Sequence, residues 1–119
     1  INWTQGDETR YQPSNEGDYF RISSIEPDNM TRQSNGAMKL AFFAKSYSGS
    51  TETIKIGQCD NESECDKTLE LEVSNDWKEY MISLKDFENL GLDMTNITSA
   101  FLVKAMAGAD IGLSNIRLE

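Results

Sequence analysis

The sequence is as informative in what it lacks as in what it contains. It has no histidine, so it cannot form a Ser-His-Asp or Cys-His nucleophilic pair or a histidine-containing zinc site. It has no run of Lys and Arg, and acidic residues outnumber basic ones by 20 to 11, for a net charge of −9. Phosphate backbones repel such a chain, so nucleic acid is excluded as an expected partner. No apolar run approaches the roughly 20 residues that span a bilayer, so no membrane partner is expected either.

The length and the apolar content favour one small globular domain. Hydrophobic residues make up 38% of the 119 residues, which is enough for a modest core and too many for a disordered tail. We therefore predict a single domain over residues 1–119. The chain opens at Ile1, with no Met and no recognisable signal peptide, so we expect a mature fragment or a module of a larger protein.

The two cysteines, Cys59 and Cys65, lie in the segment CDNESEC. Their spacing is not the CxxC of a redox enzyme, and the chain lacks the further ligands that zinc needs. The favoured interpretation is a disulfide that closes a short loop, which by the loop-entropy relation would stabilise the fold by about 2.4 kcal/mol. Two reduced thiols are the alternative. A disulfide would predict a secreted or periplasmic protein.

Apolar residues alternate with polar ones through most of the chain, which is the period of half-buried β-strands. The clearest case is KTLELEVS, residues 67–74, and the last segment, DIGLSNIRLE, shifts phase near Ser114, which indicates a bulge. Only residues 85–96 can hold a helical turn. The other predicted strands cover residues 17–25, 36–47, 51–58, 77–84 and 97–107. Seven or eight short strands separated by turns rich in Gly, Asn and Ser predict an all-β fold, an antiparallel β-sandwich.

An ordered set of short motifs covers roughly residues 7–119. In chain order it comprises the Asn35-Gly36 turn with Met38 and Leu40, Cys59 and Cys65, the Leu-x-Leu-x-Val strand 69–73, Trp77 with Tyr80, Ile82 and Leu84, Asp86-Phe87, Gly91 with Asp93 and Met94, Ile97 to Phe101, and Leu113 to Leu118. This set resembles the C-terminal galactose-binding-like domain of periplasmic family 3 glycoside hydrolases, the exo-β-1,3/1,4-glucanases. The resemblance implies a jelly-roll sandwich attached to, or derived from, an enzyme that degrades β-glucan. No catalytic domain accompanies it here, so the chain is either an excised module or a free-standing relative.

Carbohydrate recognition uses flat aromatic faces against the C–H face of a pyranose, with polar side chains on its hydroxyls. Phe42, Tyr80 and Phe101 lie at the apolar positions of their alternating segments, so we expect them in the core. We expect Phe87 to close one end of the sandwich. The candidate sugar-binding residues are five of the remaining aromatics and two lysines that we expect on the face of Phe43, namely Trp3, Tyr11, Phe43, Tyr47, Trp77, Lys45 and Lys104. The alternatives are packing for each aromatic and a solvated surface position for each lysine. On this fold a sugar site lies either on loops or on a concave sheet face.

Acidic residues offer few candidates for metal binding. The alternating carboxylates Asp60, Glu62, Glu64 and Asp66 lack the glycine of an EF-hand loop, so we predict a solvated loop. A structural Ca²⁺ near the termini is the single cofactor considered. Its conceivable ligands are Asp7, Glu8 and Asp110.

These observations predict a non-catalytic module that binds a neutral polysaccharide, with laminarin-type β-1,3-glucan as the first candidate. The acidic charge argues against sulfated or uronic polysaccharides. A glycosidase needs two acids about 5–10 Å apart across a deep cleft, and nothing in the sequence singles out such a pair. The alternative function is a structural or protein-interaction domain that buttresses a glycoside hydrolase. A binding module should expose a coplanar aromatic pair in a groove, whereas a scaffold should expose one larger apolar patch.

Overall fold

The computed structural model describes residues 4–5, 9–15, 19–30, 38–60 and 65–119. These residues form nine strands and one helical turn, so the all-β prediction is confirmed. The elements are β1 Thr4–Gln5, β2 Thr9–Tyr11, β3 Tyr19–Asp28, β4 Lys39–Ser46, β5 Glu52–Asp60, β6 Thr68–Val73, β7 Lys78–Ser83, α1 Leu84–Glu88, β8 Ile97–Ala105 and β9 Ile111–Leu118. The sequence did not reveal β1 and β2, because strands of two or three residues are too short to show alternation.

The strands form two sheets in which every pairing is antiparallel. One sheet has five strands in the order β1-β9-β4-β7, with β2 also paired to β9. The other has four strands in the order β3-β8-β5-β6. The predicted antiparallel β-sandwich is therefore confirmed.

The core lies between the two sheets and is built from the inward positions of the alternating strands. Phe42 of β4 contacts Phe101 of β8 edge to face, with ring centroids 5.5 Å apart, and stacks on Tyr80 of β7 at 5.6 Å. Burial raises the pKa of the Tyr80 hydroxyl, which donates to the Glu72 carbonyl at 2.8 Å and so ties β7 to the facing sheet. The predicted core positions of all three rings are confirmed.

The short helix α1 follows β7 directly. The Ser83 side chain caps it by accepting from the Lys85 amide, and Phe87 is fully buried, as predicted for a residue that closes one end of the sandwich. Among the residues that the structure describes, no helix has the length and apolar character needed to cross a membrane.

The predicted phase shift in β9 is present at Asn115. This residue adopts φ 52°, in the left-handed region that asparagine tolerates, and the β4–β9 register shifts between Ala41 and Phe43 opposite it. As a result Ile116 points into the core while Arg117 faces outward beside β4. The bulge therefore determines which side of the sheet carries the Arg117 charge.

The Cys59–Cys65 disulfide is present, as predicted, and ties the chain after β5 to the outer surface of the four-stranded sheet. Residues 65–67 lie directly on that surface. The Lys104 ammonium donates to the Cys65 carbonyl at 2.8 Å, and a Cβ added at Gly57 would lie 2.4 Å from the Lys67 carbonyl oxygen. Leu102, which pairs with Gly57 and points away from the core, is also fully buried.

Candidate functional site

The outer surface of the five-stranded sheet gathers a group of aromatic and charged side chains. Strand alternation brings them there, because Leu40, Phe42 and Ala44 point into the core and the residues between them point out. Cross-strand register adds partners from β7 and β9. We call this surface the aromatic face and define it by Arg10, Phe43, Lys45, Tyr47, Trp77, Glu79, Met81 and Arg117.

Tyr47 and Trp77 form an exposed corner at one end of the aromatic face. Tyr47 follows β4 and Trp77 precedes β7, so the two loops that meet there bring the rings together. The ring centroids lie 6.5 Å apart with planes at 87°, and the residues are 36% and 42% exposed. The rings are perpendicular, so the prediction of a coplanar pair is wrong for these two residues. The two exposed rings therefore do not form one flat platform.

Two cations lie over the Tyr47 ring. The Arg10 guanidinium carbon is 4.0 Å from the ring centroid and the Lys45 ammonium nitrogen is 4.6 Å from it. Arg10 is held in place by Asp110, whose Oδ1 accepts from Nε at 3.0 Å and whose Oδ2 accepts from Nη2. The Arg10 hydrogen bond, with help from Gln12, holds the pKa of Asp110 below its ordinary value. The corner is thus fixed by cation–π and charge-assisted contacts.

The middle of the aromatic face is closed by Arg117. Its guanidinium lies 6.0 Å from the Phe43 centroid and donates to Glu79 at 2.6 Å, to Glu119 at 2.9 Å and to the Asn115 carbonyl at 2.9 Å. The hydrogen bond to Glu79, followed by that to Glu119, raises the pKa of Arg117. Phe43 points away from the core, but Arg117 covers part of its ring, so the ring is less exposed to solvent than its position on the strand predicts.

Charge on the aromatic face is largely compensated, in contrast to the net −9 of the chain. Arg10 pairs with Asp110, and Arg117 pairs with both Glu79 and Glu119. The ion pairs found within the described part of the chain do not include Lys45. Its ammonium therefore keeps its hydrogen-bond donors beside the exposed corner, where a hydroxyl or ring oxygen can accept them.

The structure brings four of the predicted site residues together, namely Phe43, Lys45, Tyr47 and Trp77. The prediction that Phe43 faces the second surface of its sheet is confirmed by its register with Glu79 on that surface. Trp3 lies outside the described residues, and its role stays a prediction.

Tyr11 is not available to a ligand. It belongs to the buried core, and its hydroxyl accepts a hydrogen bond from the Ala105 amide at 3.3 Å. Its register partner Ile111 is also buried, which shows that β2 turns this ring inward. The burial of Tyr11 could not be predicted from the polar residues around it, because the strand to which it belongs has only three residues.

The expectation that Lys104 shares a face with Phe43 and Lys45 is wrong. Lys104 lies on β8 in the other sheet, paired with Tyr19 and Lys55, and its ammonium donates to the Cys65 carbonyl. Alternation within a strand shows which side chains point outward, but it does not show to which of the two sheets the strand belongs. Lys104 therefore holds the disulfide-closed segment in place and lies far from the aromatic corner in the topology.

Sequence reasoning missed Arg10, Glu79, Met81 and Arg117. A usable signal existed for Arg117, because the phase shift already noted between Leu113 and Ile116 turns position 117 outward. The outward phase of β7 likewise contains Glu79 and Met81, opposite Phe43 and Ala41. Arg10 carried no comparable signal, since only the pairing of β2 with β9 brings it to this surface.

Two carboxylates away from the aromatic face, Asp60 and Asp93, are hydrogen-bonded within the protein. Asp60 is buried and accepts from the Asp93 amide at 2.7 Å, so its prediction as part of a solvated loop is wrong. Side-chain hydrogen bonds from Thr95 and Asn96 lower the pKa of Asp93. Within the described ranges, no group of three or more Cys, Asp or Glu side chains is placed to hold a metal ion. Glu62, Glu64, Asp7 and Glu8 lie outside those ranges, and the predicted Ca²⁺ site stays a prediction.

Comparison with known families assigns the chain. The sequence pattern of one family, described as galactose-binding domain-like, matches residues 4–118. The chain belongs to this family. No curated protein sequence matches it significantly. The galactose-binding-like part of the predicted resemblance is thereby confirmed.

Solved structures show the same fold in carbohydrate-active proteins. An exo-β-agarase has a TM-score of 0.67 at 14% identity over 94% of this chain, and this chain spans 19% of that one. A family 30 carbohydrate-binding module of a cellulosomal cellulase from Clostridium thermocellum has a TM-score of 0.62 at 19% identity, covering 85% of this chain and 66% of that one. A family 11 module from the same organism, solved with a β-1,3-1,4-mixed-linked tetrasaccharide, has a TM-score of 0.58 at 15% identity, covering 99% and 86%. At these identities the likeness shows the fold.

Proposed function

We propose that this chain is a single-domain, non-catalytic carbohydrate-binding module for a neutral polysaccharide, with laminarin-type β-1,3-glucan as its first candidate ligand. The observation that carries the proposal is the exposed Tyr47–Trp77 corner on the outer surface of the five-stranded sheet in a galactose-binding-like fold. Aromatic rings of this kind bind the C–H face of a pyranose, and the neighbouring Lys45 ammonium can donate to its oxygens.

A neutral ligand fits the charge on the aromatic face. Arg10 and Arg117 are already paired with carboxylates, so an anionic glycan would compete with Asp110 and Glu79 for them. The remaining charge of the chain is negative and would slow the approach of an anionic polymer at low salt. A glucan carries no such charge and meets hydrogen-bond donors without that repulsion.

The disulfide indicates a compartment that is oxidising, and we infer a secreted or periplasmic location. In that setting a tethered glycoside hydrolase, of the kind implied by the family 3 resemblance, would gain a high local concentration of its substrate through the module. Stacking of about 1 kcal/mol per ring beyond area burial, together with a few hydrogen bonds, corresponds to micromolar to millimolar affinity.

A scaffold role without sugar binding is the competing function. It predicts one contiguous apolar patch suited to protein burial. Among the described residues, the large apolar side chains that are exposed are distributed over both sheets and one loop, as Tyr19, Tyr47, Trp77, Met81 and Met106. The sugar-binding proposal is favoured because, among these exposed side chains of the described residues, Tyr47 and Trp77 are aromatic rings in contact with each other.

Affinity electrophoresis in gels containing laminarin tests the proposal. The intact domain should be retarded, and Trp77→Ala should reduce the affinity about tenfold, because the lost ring stacking approaches 1.4 kcal/mol. Calorimetry with soluble laminarin should give the same ratio.

Tyr19→Ala is the matched control for this experiment. Tyr19 is an aromatic residue that is 50% exposed, but it lies on the outer surface of the other sheet, paired with Lys104. Its truncation should leave retardation unchanged. Absence of retardation of the native domain by laminarin, xylan and galactan alike would replace the sugar-binding proposal with the scaffold function.

A further inference from the structure

We propose that Arg10 and Asp110 are positioning residues of the sugar site and act through the Tyr47 ring. They hold this ring against Trp77, which is thereby fixed as the surface on which a sugar stacks. The inference rests on the proposed sugar-binding function and specifies how the same site is held in place. Three observations carry it: the cations over the Tyr47 ring, the two attachments of Tyr47 to Asp110, and the contact between the two rings.

The Tyr47 ring is engaged by the protein itself. The Arg10 guanidinium carbon lies over it, 4.0 Å from the centroid, and the Lys45 ammonium nitrogen lies over it at 4.6 Å. The strand register brings both cations there, because Gly112 of β9 pairs with Arg10 on one side and with Lys45 on the other. Gly112 places no side chain between them. The Tyr47 ring is therefore a fixed part of the protein, and we assign it a supporting role.

Asp110 attaches Tyr47 in two ways. Its carbonyl accepts a hydrogen bond from the Tyr47 amide at 2.8 Å, which fixes the backbone at the end of β4. Its carboxylate accepts from Arg10, with Nε at 3.0 Å from Oδ1 and with Nη2 bonded to Oδ2. Gln12 also donates to Oδ2, at 3.2 Å. The same residue thus holds the Tyr47 main chain and, through Arg10, its ring.

Arg10 depends on Asp110 for its position. The Arg10 side chain is 46% exposed. A cation–π contact at an exposed site is weaker than the rotamer entropy that an arginine loses when it is fixed. A bidentate pair with a carboxylate fixes the plane of the guanidinium and adds two charge-assisted hydrogen bonds. Without the carboxylate, Arg10 would therefore leave the Tyr47 ring for part of the time.

Trp77 receives this support through the ring contact. The centroids of Tyr47 and Trp77 lie 6.5 Å apart with planes at 87°, an edge-to-face arrangement that aromatic rings favour. Trp77 precedes β7 and is 42% exposed, so contact with a fixed neighbour restricts the orientations of its ring. A side chain that is ordered before the ligand arrives loses less entropy on binding. Ordering of Trp77 should therefore raise the affinity for sugar.

A double-mutant cycle measured by affinity electrophoresis in laminarin gels tests the inference. Asp110→Asn should weaken binding about threefold or more in the native background. In the Trp77→Ala background the same substitution should change affinity by less than about 1.5-fold, because its effect passes through the missing ring. Equal losses in the two backgrounds would overturn the inference. So would an Asp110→Asn variant that remains folded and binds laminarin as the native protein does.

Two substitutions of Arg10 separate its charge from its bulk. Arg10→Ala should weaken laminarin binding about as much as Asp110→Asn, because both remove the cation from the Tyr47 ring. Arg10→Lys keeps a cation that can contact this ring, so it should bind at least about twice as tightly as Arg10→Ala. Equal affinities of the two Arg10 variants would contradict a role through the ring.

Glu88→Gln is the matched control. It changes the net charge by the same amount as Asp110→Asn and breaks the exposed Lys85–Glu88 ion pair. The pair lies on α1, which follows β7, whereas Trp77 precedes that strand. Laminarin affinity should stay within about 1.5-fold of the native value. A loss as large as that of Asp110→Asn would assign the effect to net charge and overturn the inference.

Fluorine NMR of the protein labelled with fluorinated tryptophan gives a readout that needs no ligand. The chain has two tryptophans, and the signal of Trp77 is identified by its absence in Trp77→Phe. Asp110→Asn should shift this signal, and Glu88→Gln should leave it in place. An unmoved signal in Asp110→Asn would overturn the inference. Absence of retardation of the native domain by laminarin, xylan and galactan would instead remove the proposed function, and the NMR signal would still decide whether Asp110 positions Trp77.

Discussion

The outer surfaces of the two sheets differ in what covers them. On the four-stranded sheet, residues 65–67 lie beside Gly57 and Lys104, and the outward-facing Leu102 is fully buried. On the five-stranded sheet, the outward-facing Tyr47 and Trp77 are exposed. The same strand alternation thus produces a second buried layer on one side and a candidate ligand surface on the other. Outward-facing side chains can contact a ligand only where no other segment of the chain covers them.

Gly57 on the four-stranded sheet is constrained by the chain that lies beside it. A side chain at Gly57 would collide with the Lys67 backbone, so the covered surface requires a residue without Cβ at that position. The open surface has no such constraint and accommodates large rings and long charged side chains. Hydrogen bonds from Lys104 and the disulfide then hold the cover in place.

The largest expected effect is on stability and compares Leu102→Ala with Met81→Ala. Both residues point away from the core, but Leu102 is buried and Met81 is not. Leu102→Ala should lower the free energy of unfolding by about 2–5 kcal/mol. Met81→Ala should change it by no more than about 0.5 kcal/mol. Urea denaturation measures both values, and equal losses in the two variants would show that the surfaces do not differ as described.

Removal of the disulfide is expected to have the next largest effect. Replacing Cys59 and Cys65 together by alanine should cost about 2.4 kcal/mol of unfolding free energy through loop entropy. Because Cys59 lies in β5 of the four-stranded sheet, opposite the aromatic face, laminarin affinity should stay within twofold of the native value. Reductant should bring the native protein to the stability of the variant. A large loss of sugar affinity would mean that the two surfaces are coupled.

The smallest expected effect concerns acid stability and the contact of Arg10 with Asp110. The pKa of Asp110 is lowered in the folded state, so its stabilising contribution is present above the ordinary aspartate pKa of about 3.9 and is lost as the pH falls through the folded value. The Asp110→Asn variant should therefore have a lower Tm than the native protein at neutral pH. The difference should shrink as the pH is lowered toward about 2.

Asp76→Asn is the control for this pH series, since Asp76 is an exposed aspartate in the loop before β7. Its Tm should run parallel to that of the native protein across the same pH range. A constant Tm difference for Asp110→Asn at every pH would argue that the Arg10 contact contributes nothing that depends on the charge of Asp110.

Much of the architecture could be predicted from local pattern. The predicted strands over 51–58, 67–74 and 97–107 each contain most of an observed strand, and the bulge near Ser114 falls at Asn115. The disulfide and the burial of Phe87 were also predicted correctly. These features depend on residues close in sequence, whose alternation reports directly on burial.

The candidate site was only half predictable. Phe43, Lys45, Tyr47 and Trp77 stood out as outward-facing or loop residues, and the fold brings them together. Tyr11 and Lys104 had similar local signals, yet the first is buried and the second lies on the other sheet. Local sequence cannot separate these cases, because each depends on which distant strand becomes the neighbour.

The amino-acid sequence by itself determined that this protein would be a two-sheet sandwich, which side chains of its longer strands would point inward, and where a cross-link would form. The reason is that these properties follow from side-chain alternation and short-range spacing. Only the tertiary structure decided that Leu102 would be buried on one outward surface while Tyr47 and Trp77 would be exposed on the other. It also set the Tyr47 and Trp77 rings at right angles to each other. Those outcomes depend on strand order and loop docking between residues far apart in the chain, and such contacts leave no periodic trace in the sequence.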